Sequence, residues 1–342
     1  MATTNTDHAD LTAQLKGGVV HESVMDKIWL LDKFPLPFTD MCKEGTHGNE
    51  YHEWTTDELG AAATDNAVAD GADISQNDAV LGDRMGNYTQ TAVKEIQIST
   101  RANASNSVGN QGSLSYQIMR GQQRLKRDVE AQMLTHQASV KGDGDTVAGI
   151  SAGLGAFLTT NVSVGLTGSA GGFNTTTGLI DTVTPGTARA LTETLIRDIS
   201  QAVYEAGGET IYIMGRPIVI RRLSEYLIES GKIATLFSDA KQTSGEMTAS
   251  GSVNTFVTNF GQVLKMIPNR LQPQDAADTS SLYFLDPKHL KCSKMRGYRT
   301  EPLAKTGLSE KRMISVDYGL EVLNEASQGM IVAIDETAPV VA

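Results

Sequence analysis

Ser113-Leu-Ser-Tyr-Gln-Ile-Met-Arg-Gly-Gln-Gln-Arg-Leu-Lys-Arg-Asp-Val-Glu-Ala-Gln-Met-Leu-Thr-His-Gln-Ala138 carries the clearest helical pattern in the chain. Leu114, Ile118, Leu125, Val129 and Met133 recur at spacings of four and seven, and Arg120, Arg124, Arg127 and Glu130 fall on the opposite face. At 1.5 Å per residue the helix would be about 40 Å long. A small globular domain seldom holds that length, so the helix is expected to cross the whole body of the protein.

Upstream of it, Asp26-Lys-Ile-Trp-Leu-Leu-Asp-Lys-Phe-Pro-Leu-Pro-Phe38 places Trp29, Leu30, Leu31, Phe34, Leu36 and Phe38 on one short strap. Pro35 and Pro37 rule out a regular helix there and favour extended backbone before each ring. A strap this apolar must be covered, by its own core or by a neighbouring subunit. Glu50–Leu59 and Tyr88–Ile98 alternate like strands. The stretch between them, 60–87, is rich in Ala, Gly, Asp and Asn. Two strands joined by so long a polar excursion predict a hairpin loop projecting from the body.

Downstream, 141–185 is dominated by Gly, Ser, Thr, Ala and Asn and reads as turns and irregular loops. A second amphipathic helix is expected over 187–206, ended by Gly207-Gly208, then a strand at 210–214 and a third helix at 218–229 opened by Pro217. This alternation indicates mixed α and β structure. From residue 253 the pattern turns to strands: 253–260, 262–267, 281–285, 313–316, 320–323 and 330–334.

The 342 residues carry a formal net charge of −11. Residues 1–100 hold 17 acidic and 6 basic side chains, and the rest holds 23 of each. The acidic first third argues against nucleic acid lying on it. Between Asp286 and Arg312 eight bases, among them Lys294, Arg296 and Arg299, face three acids. The acidic arm and the basic band can attract each other within a chain or between copies, or be two solvated faces. No stretch has the roughly 20 apolar residues of a membrane helix. Met1–Leu15 is polar, without the charged start and apolar stretch of a secretory signal, so the chain is expected to be made and kept in the cytoplasm.

Chemistry-bearing residues are sparse. Cys42 and Cys292 are too few for a disulfide framework and fit no zinc pattern. With His47 and His52, Cys42 offers three candidate metal donors at spacings of five, but no fourth partner is in reach, so both histidines read as polar surface groups. Asp143 and Asp145 in Gly142-Asp-Gly-Asp145 lack the further oxygen ligands of a calcium loop, so this reads as a turn. Gly153-Leu-Gly155 lacks a preceding strand and a third glycine, and neither a phosphate loop nor a nucleophile elbow occurs. Asp57 and Glu58 would point to opposite faces of a strand. No catalytic, cofactor or metal site is expected, and the chain reads as a non-enzyme.

The order of parts resembles the Hong Kong 97 phage capsid fold, an α+β architecture. It runs from an N-terminal arm through a long projecting loop, a single long helix and a glycine-rich α/β region to extended strands. Local wording is sharper. The strap 26–38, Tyr51-His-Glu-Trp-Thr-Thr-Asp-Glu-Leu59, Leu285-Asp-Pro-Lys-His-Leu-Lys-Cys-Ser-Lys-Met-Arg296, Leu303-Ala-Lys-Thr-Gly-Leu-Ser-Glu-Lys311 and Asp317-Tyr-Gly-Leu-Glu-Val-Leu-Asn-Glu-Ala326 are similar to the SU-ten-like family of phage major head proteins. The likeness covers roughly 25–335, with 142–186 too generic to align.

The resemblance implies an N-terminal arm over 1–49 and an extended loop over 50–108. It implies the spine helix of a peripheral domain within 109–141, an axial domain over 142–255, and strands at 256–342 that complete the peripheral domain and return to the axial one. It implies a major capsid subunit of a virion, assembled in the bacterial cytoplasm as hexamers and pentamers around double-stranded DNA. A portal and scaffolding or decoration proteins are expected as further partners, with no cofactor and no membrane. Trp29, Leu31, Phe34, Phe38, Trp54, Lys294, Arg296 and Arg299 are the expected intersubunit contacts. Arg120, Arg124, Lys126 and Arg127 are candidates to touch packaged DNA. Lys94 and Asn324 lie in no motif that would carry over the covalent cross-linking seen in some members of the fold. The alternatives are an encapsulin-like cargo shell and an enzyme of unknown class, for which the glycine-rich loops are the only support.

Overall fold

The computed structural model describes residues 35–57, 82–105, 113–229, 255–305 and 307–341, with 59, 62, 64, 67 and 69–71. In chain order its elements are α1 (Pro37–Met41), β1 (Lys43–Thr46), β2 (Tyr51–Thr56), β3 (Asp83–Tyr88), β4 (Gln90–Ser99), α2 (Thr100–Ala104), α3 (Leu114–Met133), α4 (Leu154–Phe157), β5 (Val162–Ser163), β6 (Gly172–Asn174) and β7 (Leu179–Asp181). Then follow α5 (Glu193–Glu205), β8 (Tyr212–Gly215), α6 (Pro217–Glu229), β9 (Thr255–Val257), β10 (Val263–Pro268), β11 (Thr279–Leu285), β12 (Leu290–Pro302), β13 (Ser309–Val322) and β14 (Gly329–Asp335).

Two sheets organise the chain. The first has the order β1-β12-β13-β4, and the second β5-β14-β11-β8-β10-β9. The long helix α3 lies against the first. Leu125, Val129 and Met133 are buried there with Ile314, Val316 and Tyr318 of β13. Gly121 is what lets the helix approach: a Cβ at that position would sit 2.7 Å from Ile96 and 2.8 Å from Ile314. The second sheet packs with α5 and α6 around a core that includes Ile196, Val203, Ile213, Leu223, Phe284 and Ile331.

Several expectations are corrected. Helix α3 has 20 residues and stops at Met133, near 30 Å, because the next groups are claimed elsewhere. Thr135 Oγ1 donates to the Gln132 carbonyl, Tyr283 donates to that of Leu134, and the Thr135 and Gln137 carbonyls accept from Gly155 and Gly153. Glu130, read as part of the solvated face, is fully buried. Helix α5 starts after its cap Thr192 and not at Thr187, because 187–191 runs extended beside β14, with the Arg189 N–H on the Ala333 carbonyl.

Strand β13 is one 14-residue strand where two short ones are expected. Asp317-Tyr-Gly319 looks like a turn, but Gly319 is there for close approach: a Cβ would lie 2.4 Å from the His52 ring. Strand β12, 13 residues long, carries too many bases to stand out as a strand. The hairpin partner of β2 is β3, in register Tyr51↔Tyr88 to Thr56↔Asp83, while β4 leaves it to pair with β13. Strands β9 to β11 belong with β8 and β14 in the second sheet, so the first sheet resumes only at Leu290.

Candidate assembly surfaces

The strap is anchored at its end. Pro37 does not prevent helix here; it opens α1 at a position where the missing N–H is no loss. Phe38 is fully enclosed with Leu125, Val129 and Met133 of its own chain. It therefore has no side-chain surface left for a neighbour, and its expected role as an intersubunit contact is corrected to intrachain anchor. The anchor is polar as well. Glu130 of α3 accepts from the backbone N–H groups of Phe38 at 2.8 Å and Thr39 at 2.7 Å, from the Thr39 hydroxyl, and from Asn269 Nδ2 at 2.8 Å. A carboxylate from the long helix thus caps the short one. Trp29, Leu31 and Phe34 lie outside the described residues.

Trp54 sits at the base of the β2–β3 hairpin, half-buried, its indole N–H donating to the Val322 carbonyl at 3.1 Å and its ring 6.1 Å from that of Phe157. The basic band divides. Lys294 pairs with Glu44 at 2.8 Å, so the acidic first third does reach the band within one chain. Arg296 pairs with the buried carboxylate of Asp317, and Lys288, Lys291 and Lys305 pair with Glu209, Glu321 and Glu310. Arg299 is exposed on the far half of β12.

Apolar groups crowd one edge of the second sheet. Val257 and Val263 are cross-strand partners on the outer face of β9 and β10, 58% and 50% exposed. On the opposite side, where Phe256 and Leu264 pack with α5, Phe260 in the turn and Tyr204 on α5 bring their rings to 5.0 Å while staying 41% and 57% exposed. Sequence periodicity misses this patch, because alternation in β9 and β10 looks like an ordinary half-buried hairpin.

The remaining polar constellations are structural or of another kind. His136 Nε2 lies 2.8 Å from Asp275 and 2.9 Å from the Ser281 hydroxyl, which itself donates to Asp275 at 2.7 Å. A hydrolytic triad needs the acid on one ring nitrogen and the serine on the other. Here both share one nitrogen and the serine proton goes to the acid, so the hydroxyl is not activated. The Asp143 carboxylate accepts from the N–H groups of Asp145, Thr146 and Val147, which is the expected turn. Cys42 and Cys292 are buried, and burial pushes both thiols up, Cys292 to about 11. His47 and His52 are not surface groups: their rings stack at 4.3 Å and His52 is buried. Glu321, some 270 residues away in sequence, joins them in space.

A long helix laid on one sheet, a separate two-stranded hairpin at its side and a second mixed sheet flanked by helices make a mixed α+β, Hong Kong 97-like capsid fold, the class of shell-building proteins. The same fold is seen in the capsid of a native gene transfer agent (GTA) particle, with a TM-score of 0.58, 11% identity and coverage of 94% of this chain and 98% of that one. It is also seen in the SrpI encapsulin of Synechococcus elongatus PCC 7942, with a TM-score of 0.55, 10% identity and 94% of each chain covered. The chain belongs to the SU10 major capsid protein family, which it matches over residues 2–335. It is 27% identical over 336 residues to the major capsid protein of Escherichia phage Phieco32, covering 89% of this chain and 91% of that one. The chain is a major capsid protein of a tailed-phage head, a structural component of the virion and not an enzyme.

Proposed function

We propose that the subunits join as hexamers and pentamers of an icosahedral shell through apolar surface that a single chain leaves uncovered, and that this shell encloses double-stranded DNA. The observation that carries the reading is the exposed ring pair of Tyr204 and Phe260, with Val257 and Val263 also exposed at this edge of the sheet. A monomer gains nothing by exposing large apolar groups in pairs, whereas contact between copies removes them from water. In this reading the second sheet with α5 and α6 is the axial domain and meets its copies around the local symmetry axes. The first sheet with α3 is the peripheral domain, resuming at Leu290, and the β2–β3 hairpin is the base of the extended loop.

Trp29, Leu31 and Phe34 lie just beyond the Phe38 anchor and cover a neighbouring subunit. Arg120, Arg124 and Lys126 on α3 face packaged DNA and bind its phosphates without sequence preference. Portal and scaffolding proteins are further expected partners. The phage G major capsid protein, which shares this fold at a TM-score of 0.50, is described together with a decoration protein, and a decoration partner is proposed here as well.

The experiment is negative-stain imaging of the expressed chain beside its Y204A/F260A variant. Closed shells from the parent and folded, unassembled subunits from the variant are expected. Normal shells from the variant would remove the patch from the interface.

A further inference from the structure

We propose that His47, His52 and Glu321 form a binding site for one divalent transition-metal ion, of which zinc is the type, pinning the base of the β2–β3 hairpin to β13. The three residues come from separate places: the turn after β1, the middle of the first hairpin strand, and the end of the longest strand. One donor atom from each lies within 4.8 Å of the others. Two imidazoles and a carboxylate are a donor set that zinc accepts.

The independent sign is His52. It is 7% exposed, and neither ring nitrogen makes a hydrogen bond of ordinary geometry, its contact with the Leu320 backbone falling short of one. Buried polar atoms in native proteins are almost always satisfied, so an imidazole with both nitrogens unpaired calls for an explanation. Packing alone does not supply one, because Gly319 is kept bare beneath the ring and the space it frees goes to a histidine, not to an apolar group.

The surroundings suit a ligand shell. The His47 ring contacts two hydroxyls, Ser293 at 2.8 Å and Thr89 at 2.7 Å, and giving up one leaves the other to orient the ring. Glu321 is held at 2.8 Å by Lys291, an ammonium that a metal ion would displace from one oxygen. A cleft of about 400 Å³ bordered by His47, His52, Trp54 and Arg84 gives the ion a route in and a position for water as fourth ligand. Tetrahedral bonds of about 2.0–2.1 Å put donors about 3.3 Å apart, so binding draws donors that now lie within 4.8 Å closer by up to about 1.5 Å.

The test is calorimetric titration of the chelator-treated, full-length chain with zinc chloride, repeated on H47N and E321Q and on the control H289A. Each variant is first shown by circular dichroism to be folded. One saturable site per chain is expected, weakened at least tenfold in H47N and in E321Q and unchanged in H289A. A rise in melting temperature with zinc is expected in the parent and the control alone. No saturable site in the parent overturns the proposal, as does binding that either ligand substitution leaves unchanged.

Discussion

Glu130 shows what one side chain does in this fold. It sits in the apolar core between α1, α3 and the segment after β10, and four donors meet its two oxygens. Removing an acceptor from buried donors costs more than the net value of the bonds, because the donors lose water and gain nothing. E130A is therefore expected to lower subunit stability by on the order of 3 kcal/mol. It should also raise amide exchange in 36–42 well above that in α3; unfolding in urea and hydrogen exchange check both. The thiols give a pH test. Cys292 is raised from 9.0 to about 11 by burial, and Cys42 is raised well above 9.0 by the same cause. The folded state thus keeps protons that the unfolded state gives up, so the contribution is intact below pH 9 and is lost as pH rises towards 11. For Cys292 the loss is about 3 kcal/mol over that window. Both thiols are expected to resist alkylation at pH 8 in the folded chain and to react after unfolding, which a mass measurement reads directly.

Among elements, β12 has the most to say. Its first half lies between β1 and β13, and its second half is exposed. Neighbouring arginines on it therefore do different jobs. Arg296 neutralises Asp317, whose carboxylate is buried, whereas Arg299 stands free of the core. R296E is expected to lower the melting temperature, since the buried carboxylate of Asp317 is left against a like charge. R299E is expected to leave melting unchanged within about 0.5 kcal/mol and to slow assembly, with a salt dependence that light scattering follows. Equal melting curves for the two variants would remove the distinction. This also revises the proposal for the band as a whole: most of its bases are paired within the chain, so the proposed charge steering between copies is assigned to groups such as Arg299.

At the scale of the molecule, the shell has to be held by apolar contact and guided by charge. Burying one large apolar side chain contributes roughly 1.5–3 kcal/mol, and an exposed ion pair about 0–1 kcal/mol. The strap before Phe38 carries Trp29, Leu31 and Phe34 in a few residues, with its end fixed in the core by Phe38 and Glu130. W29A/F34A is expected to give a subunit that melts like the parent but forms no closed particles in sedimentation. A lower melting temperature with normal particles would make these residues internal core.

What the sequence by itself determined was local and periodic. The position of α3, the stop at Gly207, the Pro217 start of α6 and the strands at β2, β11 and β14 all follow from side-chain spacing and backbone preference, which act within a few residues. The local wording of the strap and of 285–326 was enough to point to the family. Only the tertiary structure decided which strands pair, because β2 alternates equally well with β3 or β4 as partner and register is set by what lies across the sheet. It decided that Glu130 is buried, since a charge at a helical position is solvated unless distant donors arrive to meet it. It decided that Glu321 stands beside His47 and His52, a meeting of residues far apart in sequence that no spacing encodes. Local propensities are short-range energies; sites and buried charges are made by contacts that exist only once the chain has folded.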